Sequence, residues 1–148
     1  MTDVLAYEVR RVQGEAEMAA VLELRRDVFC VEQGVPVREE VDGRDGEGMH
    51  LVPVSSDGEL LATCRLLFVG PTVQFSRLAV RQNARRRGIA TALLALADEE
   101  TRAGGARRLV LHAQTYARSL YEAAGYEPRG RVFMEAAIEH IAMEKYLQ

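Results

Sequence analysis

The chain has 148 residues, 48% of them hydrophobic and 28% charged, with a formal net charge of −3. That is the size of one domain with a real core, and the acidic balance argues against a dedicated nucleic-acid binder. Nothing in it approaches the ~20 consecutive apolar residues that cross a bilayer, so no membrane association is expected. The two cysteines, Cys30 and Cys64, have neither CxxC nor zinc-ligand spacing, which points to free thiols in a reducing compartment and to no bound metal. The opening MTDVLAYEVR turns polar at once, so no secretory leader is expected and the expected location is cytoplasmic.

Leu5 to Val12 alternates as a strand, and Gly14 ends it. From Glu15 to Phe29 the apolar residues Met18, Val21, Leu22, Val28 and Phe29 recur at helical spacing, which predicts an amphipathic helix. The segment VEQGVPVREEVDGRDGEGMH, rich in glycine and acids, reads as a long loop with one short helical turn. MHLVPVSS, ELLATCRLLFV and TVQFSRLAV follow as three strands, turned at Asp57-Gly58 and Gly70-Pro71. Asp-Gly between apolar runs is a hairpin signal, so the middle of the chain is an antiparallel meander.

The period then changes. Ile89, Ala90, Leu93, Leu94, Leu96 and Ala97 make a broad helical face, which Gly104-Gly105 closes as a left-handed cap would. RLVLHA is a short strand. Ala117, Leu120, Tyr121 and Ala124 line a second helix that ends at Gly125, and YEPRGRVF and IEHIAMEKYL are two final strands. A strand, a helix and another strand in succession imply one parallel crossover in an otherwise antiparallel sheet. The expected architecture is a single domain over 1–148 with a mixed α/β sheet of six or seven strands flanked by about four helices.

The chemistry concentrates at RRRGIAT, where a strand leads through a loop into a helix. Free backbone N–H groups and the positive end of the dipole make such a helix start a seat for anions. Gly88 lets a phosphate approach the backbone and Ala90 keeps the next position small. A solvated arginine run here would set positive charge against the positive dipole end, and a nucleic-acid patch would call for interleaved aromatics that are absent. No Gly-Lys-Ser/Thr or GxGxxG pattern is present.

Arg85, Gly88 and Ala90 spell R-x-x-G-x-A between strand and helix, which resembles the pyrophosphate loop of the GNAT superfamily of acyl-CoA N-acyltransferases. A-x-x-L-Y-E-x-x-G-Y, from Ala117 to Tyr126, resembles a later helix of the same superfamily. A wider resemblance, to the ElaA/YjcF-like subgroup, runs through Arg25, Val28, Phe29, Glu32, Gln33, Asp42, Gly43, Asp45, His50, Gln114, Phe133, Glu135, Ile138, His140 and Met143. Arg86 stands where many members of the superfamily have Gly, and Ala137 where this subgroup often has Gly.

The resemblance implies the GNAT fold and direct transfer of an acetyl group from acetyl-CoA to a primary amine. The acceptor it implies is a small molecule or a basic side chain. Backbone groups of Leu78, Ala79 and Val80 are then expected on the pantetheine, Arg85, Arg86, Arg87, Gly88, Ile89, Ala90 and Thr91 around the pyrophosphate, and Gln114 beside the cofactor. Tyr121 is implied as the acid for the thiolate, since a phenol of pKa about 10 is matched to an alkylthiol. On residue type alone Tyr121 reads first as a core aromatic on an apolar helical face, and it is the resemblance upstream that favours the catalytic role. His112 suits a base, and Glu32, Gln33, His50, Glu135 and His140 are candidates for the acceptor pocket. The acids from Glu39 to Glu47 suggest a cationic acceptor, with a solvated acidic loop as the alternative. A non-catalytic acyl-CoA-binding module is the rival function. The oligomeric state is open, a homodimer included.

Overall fold

The computed structural model describes residues 6–148. Among them seven strands form one sheet in the order β1-β2-β3-β4-β5-β7-β6. β1 spans Tyr7–Arg11, β2 Met49–Ser55, β3 Ala62–Val69, β4 Thr72–Val80, β5 Arg108–Gln114, β6 Glu127–Glu135 and β7 Ile138–Tyr146. Leu5, expected in the first strand, lies outside the described residues. Every neighbouring pair is antiparallel except β4 with β5. The fold is therefore a mixed α/β sheet with one parallel pair, as the order of patterns in the sequence implies.

Four α-helices among the described residues accompany the sheet: α1 Gly14–Arg25, α2 Val37–Glu40, α3 Ile89–Ala103 and α4 Arg118–Ala123. Helix α3 seals the larger core, where Ile89, Leu93, Leu94 and Ala97 meet Leu51, Leu66, Val73, Phe75, Leu109 and Met143. Each such leucine contributes roughly 1.5–3 kcal/mol by leaving water. Val21, Leu24 and Val28 pack α1 on a second cluster with Val52, Val54 and Ala79.

Three local irregularities shape the surroundings of the sheet. The first helix does not run unchanged to Phe29. After Arg25 it widens into π-helical turns over Arg26–Glu32, with Gln33 N–H donating to Val28 O at 3.2 Å. Such turns change which side chains share a helix face. At the end of α3 the two glycines divide the work. Gly105 takes the left-handed conformation at φ 82. Gly104 has φ −81 and is small because an added Cβ would lie 2.4 Å from Phe68.

The third irregularity is a bulge in β4. Arg65 faces Ser76 and Thr63 faces Ala79, so Arg77 and Leu78 together oppose Cys64. Arg77 absorbs the extra residue at φ 58, a conformation usually left to glycine. Parallel pairing with β5 has already stopped at Gln74 and Val110. Beyond that point the two strands part.

Candidate active site

The parting of β4 from β5 opens a cleft of about 1270 Å³. The β4 backbone from Leu78 to Val80 borders it on the side where no strand is paired, while β3 holds the other side through Val80–Ala62 and Ala79–Thr63. Ala79 does not line the cleft: its side chain is buried in the core, and its backbone, two residues before the bonded Arg81–Leu61 pair, turns to Thr63 of β3. Of the three residues expected on the pantetheine, Leu78 and Val80 therefore border the opening. At one mouth of the cleft sits the start of α3. The first i→i−4 bond there is Ala92 N–H to Gly88 O, which leaves the N–H groups of Gly88, Ile89, Ala90 and Thr91 without an acceptor within the helix. Gly88 is left-handed at φ 78, and so is Arg86 at φ 62. A glycine is the natural occupant of that second position too, which accounts for Arg86 being the departure in the loop. Arg86 lines the cleft; Arg87 is exposed outside its lining.

Arg85 lines the cleft but turns back. Its Nε–H donates to Val80 O at 3.0 Å and its Nη2–H to Glu32 Oε2 at 2.7 Å. Gln114, at the end of β5, donates to Gln33 at 2.9 Å. These two contacts lay the end of the π-helical segment across the cleft, between the α3 loop and β5.

Tyr121 enters from α4 with 7% of its surface exposed. Its ring stands edge-on to Phe75 of β4, 6.3 Å between centroids, and to Tyr126 at 5.9 Å. It is thus both a core aromatic and part of the cleft wall. Burial pushes its phenol well above the ordinary value, so the proton stays on oxygen across the physiological range.

His112 does not behave as a residue of a buried strand: its side chain is 54% exposed in the cleft. Register explains this. His112 faces Ala142, Gln114 faces His140, and His140 also faces Phe133. Directly opposed residues share a sheet face, and Glu135 follows Phe133 by two. His112, Phe133, Glu135 and His140 are therefore neighbours on one face. His112 Nδ1 is 3.0 Å from Glu135 Oε1, and His140 Nε2 is 3.7 Å from Glu135 Oε2.

His50 lies elsewhere. It is buried outside the cleft lining, with Nε2 2.9 Å from Asp45 O, and it pins the loop rather than facing a ligand. Within the acidic loop Glu40, Asp42 and Asp45 are taken up by three arginines, whereas Glu39 is exposed and lines the cleft and Glu47 pairs with Arg44 at the surface. Arg25, fully buried, holds Glu40 at 2.6 Å and Asp45 at 2.7 Å. Arg65 holds Asp42 at 2.7 Å and Asp45 at 2.9 Å. Arg77, from the bulge, reaches Glu40 O at 3.0 Å and Asp42 at 3.2 Å. The Arg65 guanidinium drives the Asp42 carboxyl far below its usual range. Burial pushes Asp45 up, yet Arg25 and Arg65 outweigh it and leave the group lowered. This ion-pair cluster escaped sequence reasoning because its members lie 15 to 37 residues apart. The alternation of acids with glycines gave no period to read.

No group of three metal-ligating side chains occurs among the described residues, and no helix among them is long and apolar enough to cross a membrane.

A mixed sheet that parts at its parallel pair, with a helix N-terminus at the opening, sets a free strand edge beside a seat for an anion. Residues 21–147 match the family model described as acetyltransferase (GNAT) domain, and the chain belongs to that family. Among solved structures, Escherichia coli ElaA is similar at 26% identity with a TM-score of 0.83, covering 94% of this chain and 99% of that one. An acyl-CoA N-acyltransferase from Pseudomonas aeruginosa is similar at 31% identity with a TM-score of 0.82, covering 96% and 99%. The "Uncharacterized N-acetyltransferase YjcF" of Bacillus subtilis is 29% identical over 135 residues, 90% of this chain and 95% of that protein.

Proposed function

We propose that this acetyltransferase moves an acetyl group from acetyl-CoA directly to a primary amine. The observation that carries the reading is the junction of the β4–β5 gap with the unpaired N–H groups at the start of α3. The gap accepts an extended pantetheine arm as an added strand along Leu78 to Val80. The helix start accepts the pyrophosphate, with Arg86 lining the seat and Arg87 adding charge beside it. A family relative whose name is acyl-CoA N-acyltransferase supports the donor class.

Proximity supplies much of the rate, since both reactants are held in one cleft. His112 takes a proton from the acceptor ammonium. The freed amine attacks the thioester carbonyl, so an N–C bond forms and the C–S bond breaks. The thiolate leaves with the proton of Tyr121, and the second proton shed by the bonded nitrogen returns through water to the tyrosine oxygen. The balance is one ammonium and one thioester in, and one amide, one thiol and one proton out. Gln33, Glu135 and His140 line the acceptor side.

Isothermal titration with acetyl-CoA tests the donor, and no binding at millimolar ligand would sink the proposal. Thiol release with spermidine, lysine, an aminoglycoside and an arylamine tests the transfer. Binding without release from any amine would favour a non-catalytic acyl-CoA module instead.

A further inference from the structure

We propose that Glu135 is a positioning residue that fixes the tautomer of His112 and so makes its Nε2 the base; this rests on the acetyl-transfer reading. An ionised carboxylate can only accept, so the 3.0 Å contact to Oε1 places the ring proton on Nδ1 of His112. The lone pair is then on Nε2, on the far side of the ring from Glu135. A free neutral imidazole prefers the opposite tautomer, with the proton on Nε2, which has no lone pair there to receive one. Orientation of a base by a third group is the general logic of nucleophile–base–acid arrangements.

The ring on the other side of the carboxylate is fixed. His140 Nδ1 lies 2.7 Å from Ile138 O, and a carbonyl cannot donate, so that nitrogen carries hydrogen and the ring is locked. Its Nε2, which then carries the lone pair, stands 3.7 Å from the second oxygen of Glu135, beyond hydrogen-bond reach, so His140 walls the carboxylate without bonding it. Phe133 stands between the two imidazoles, edge-on to His112 at 4.9 Å and stacked on His140 at 6.0 Å. Glu135 and Phe133 of β6 thus both bear on one half-exposed histidine. A contact between two half-exposed side chains contributes little to stability, so it is better understood as orienting His112 than as holding the fold.

The proton taken by Nε2 comes from the acceptor ammonium. The resulting imidazolium is stabilised by Glu135 across the ring and gives its proton to water after transfer. No further reactant is needed.

Nitrogen-15 NMR on histidine-labelled protein reads the tautomer without any acceptor. Wild-type His112 is expected as the Nδ1–H form, with Glu135→Ala shifting it toward Nε2–H. With the fastest amine of the panel, Glu135→Ala should lower kcat at least about tenfold and leave KM for acetyl-CoA within about twofold. Glu135→Gln, whose amide oxygen can still accept from Nδ1–H, should recover part of both signals and stands in if the alanine variant fails to fold. A wild-type Nε2–H tautomer, or a kcat unmoved by either variant, would overturn the proposal. If wild-type protein acetylates nothing in the panel, the transfer reading fails, and the tautomer shift alone still decides whether Glu135 orients His112.

Discussion

At the residue scale, Tyr121 keeps the buried surroundings its local pattern suggests and His112 departs from them. The tyrosine on an apolar helical face is buried and still reaches the cleft. The histidine in an apolar strand faces the cleft because the strand beside it has parted. Replacing Tyr121 with Phe keeps the ring packed on Phe75 and Tyr126 and removes only the hydroxyl. Turnover is expected to fall about 10²-fold, the lower end of acid–base contributions, with acetyl-CoA affinity nearly unchanged. Steady-state kinetics beside calorimetry would show it, and unchanged turnover when chemistry is rate-limiting removes Tyr121 from the mechanism. Arg25 makes a different kind of prediction. Arg25→Ala leaves Glu40 buried without its main counter-charge, a change expected to destabilise by about 3–5 kcal/mol. Chemical denaturation measures this, and a loss under about 1 kcal/mol would mean that Glu40 finds another partner.

The same cluster gives stability a pH dependence with a definite sign. Burial lowers the His50 pKa, so the folded state disfavours the imidazolium. Its contribution is complete above about pH 6.5 and is lost as the pH falls through the lower folded value. Asp42 and Asp45 are also lowered. Their contributions are complete above about pH 4 and are lost below it, toward the depressed folded values. Thermal melting should therefore decline in two stages on acidification, and Asp42→Asn should shrink only the lower one. A melting temperature that stays level from neutral pH down to about pH 4 would contradict the role given to His50.

At the scale of elements, regular segments were legible and their irregularities were not. The limits of β4 and the face of α3 follow directly from the pattern, because each buries one continuous side against the core. The π-helical turns at Arg26–Glu32 and the bulge at Arg77 have no periodic signature. Each is decided by partners far along the chain: Arg85 and Gln114 for the first, Glu40 and Asp42 for the second. The β6–β7 hairpin adds another case. Glu135 pairs with Ile138 across a two-residue turn in which Ala136 and Ala137 have φ 52 and 60. Turns with both central residues left-handed favour Asn-Gly, and an alanine there costs about 1 kcal/mol or more. Ala137→Gly should raise the melting temperature by roughly 2–4 °C. A decrease would show that the turn relaxes in solution or that glycine's chain entropy outweighs the relieved strain. Because this turn follows Glu135 directly, its geometry also sets the carboxylate that faces His112.

At the scale of the molecule, the sheet does two things at once: it closes a core under α3 and it stays open at its parallel pair. An opening that must be filled by ligand should respond to ligand. At acetyl-CoA a hundredfold above its dissociation constant, the folded state gains about 2.7 kcal/mol by mass action. A melting shift of roughly 5–10 °C follows for a chain of this size, and differential scanning calorimetry with and without acetyl-CoA would measure it. No shift at saturating ligand would mean the gap is not the donor site.

Sequence by itself determined the order of strands and helices, the change of period at the α3 loop, and the R-x-x-G-x-A spacing at the start of that helix. These are local properties, set by which side chains must be buried on one turn or one pleat. Tertiary structure alone decided that β4 and β5 part after Gln74 and Val110, that Glu40, Asp42 and Asp45 are held by Arg25, Arg65 and Arg77, and that Glu135 stands between His112 and His140. Each of these depends on register between strands or on ion pairs between distant segments. Hydrophobic periodicity carries no record of either, since it reports which face is buried and not what lies opposite.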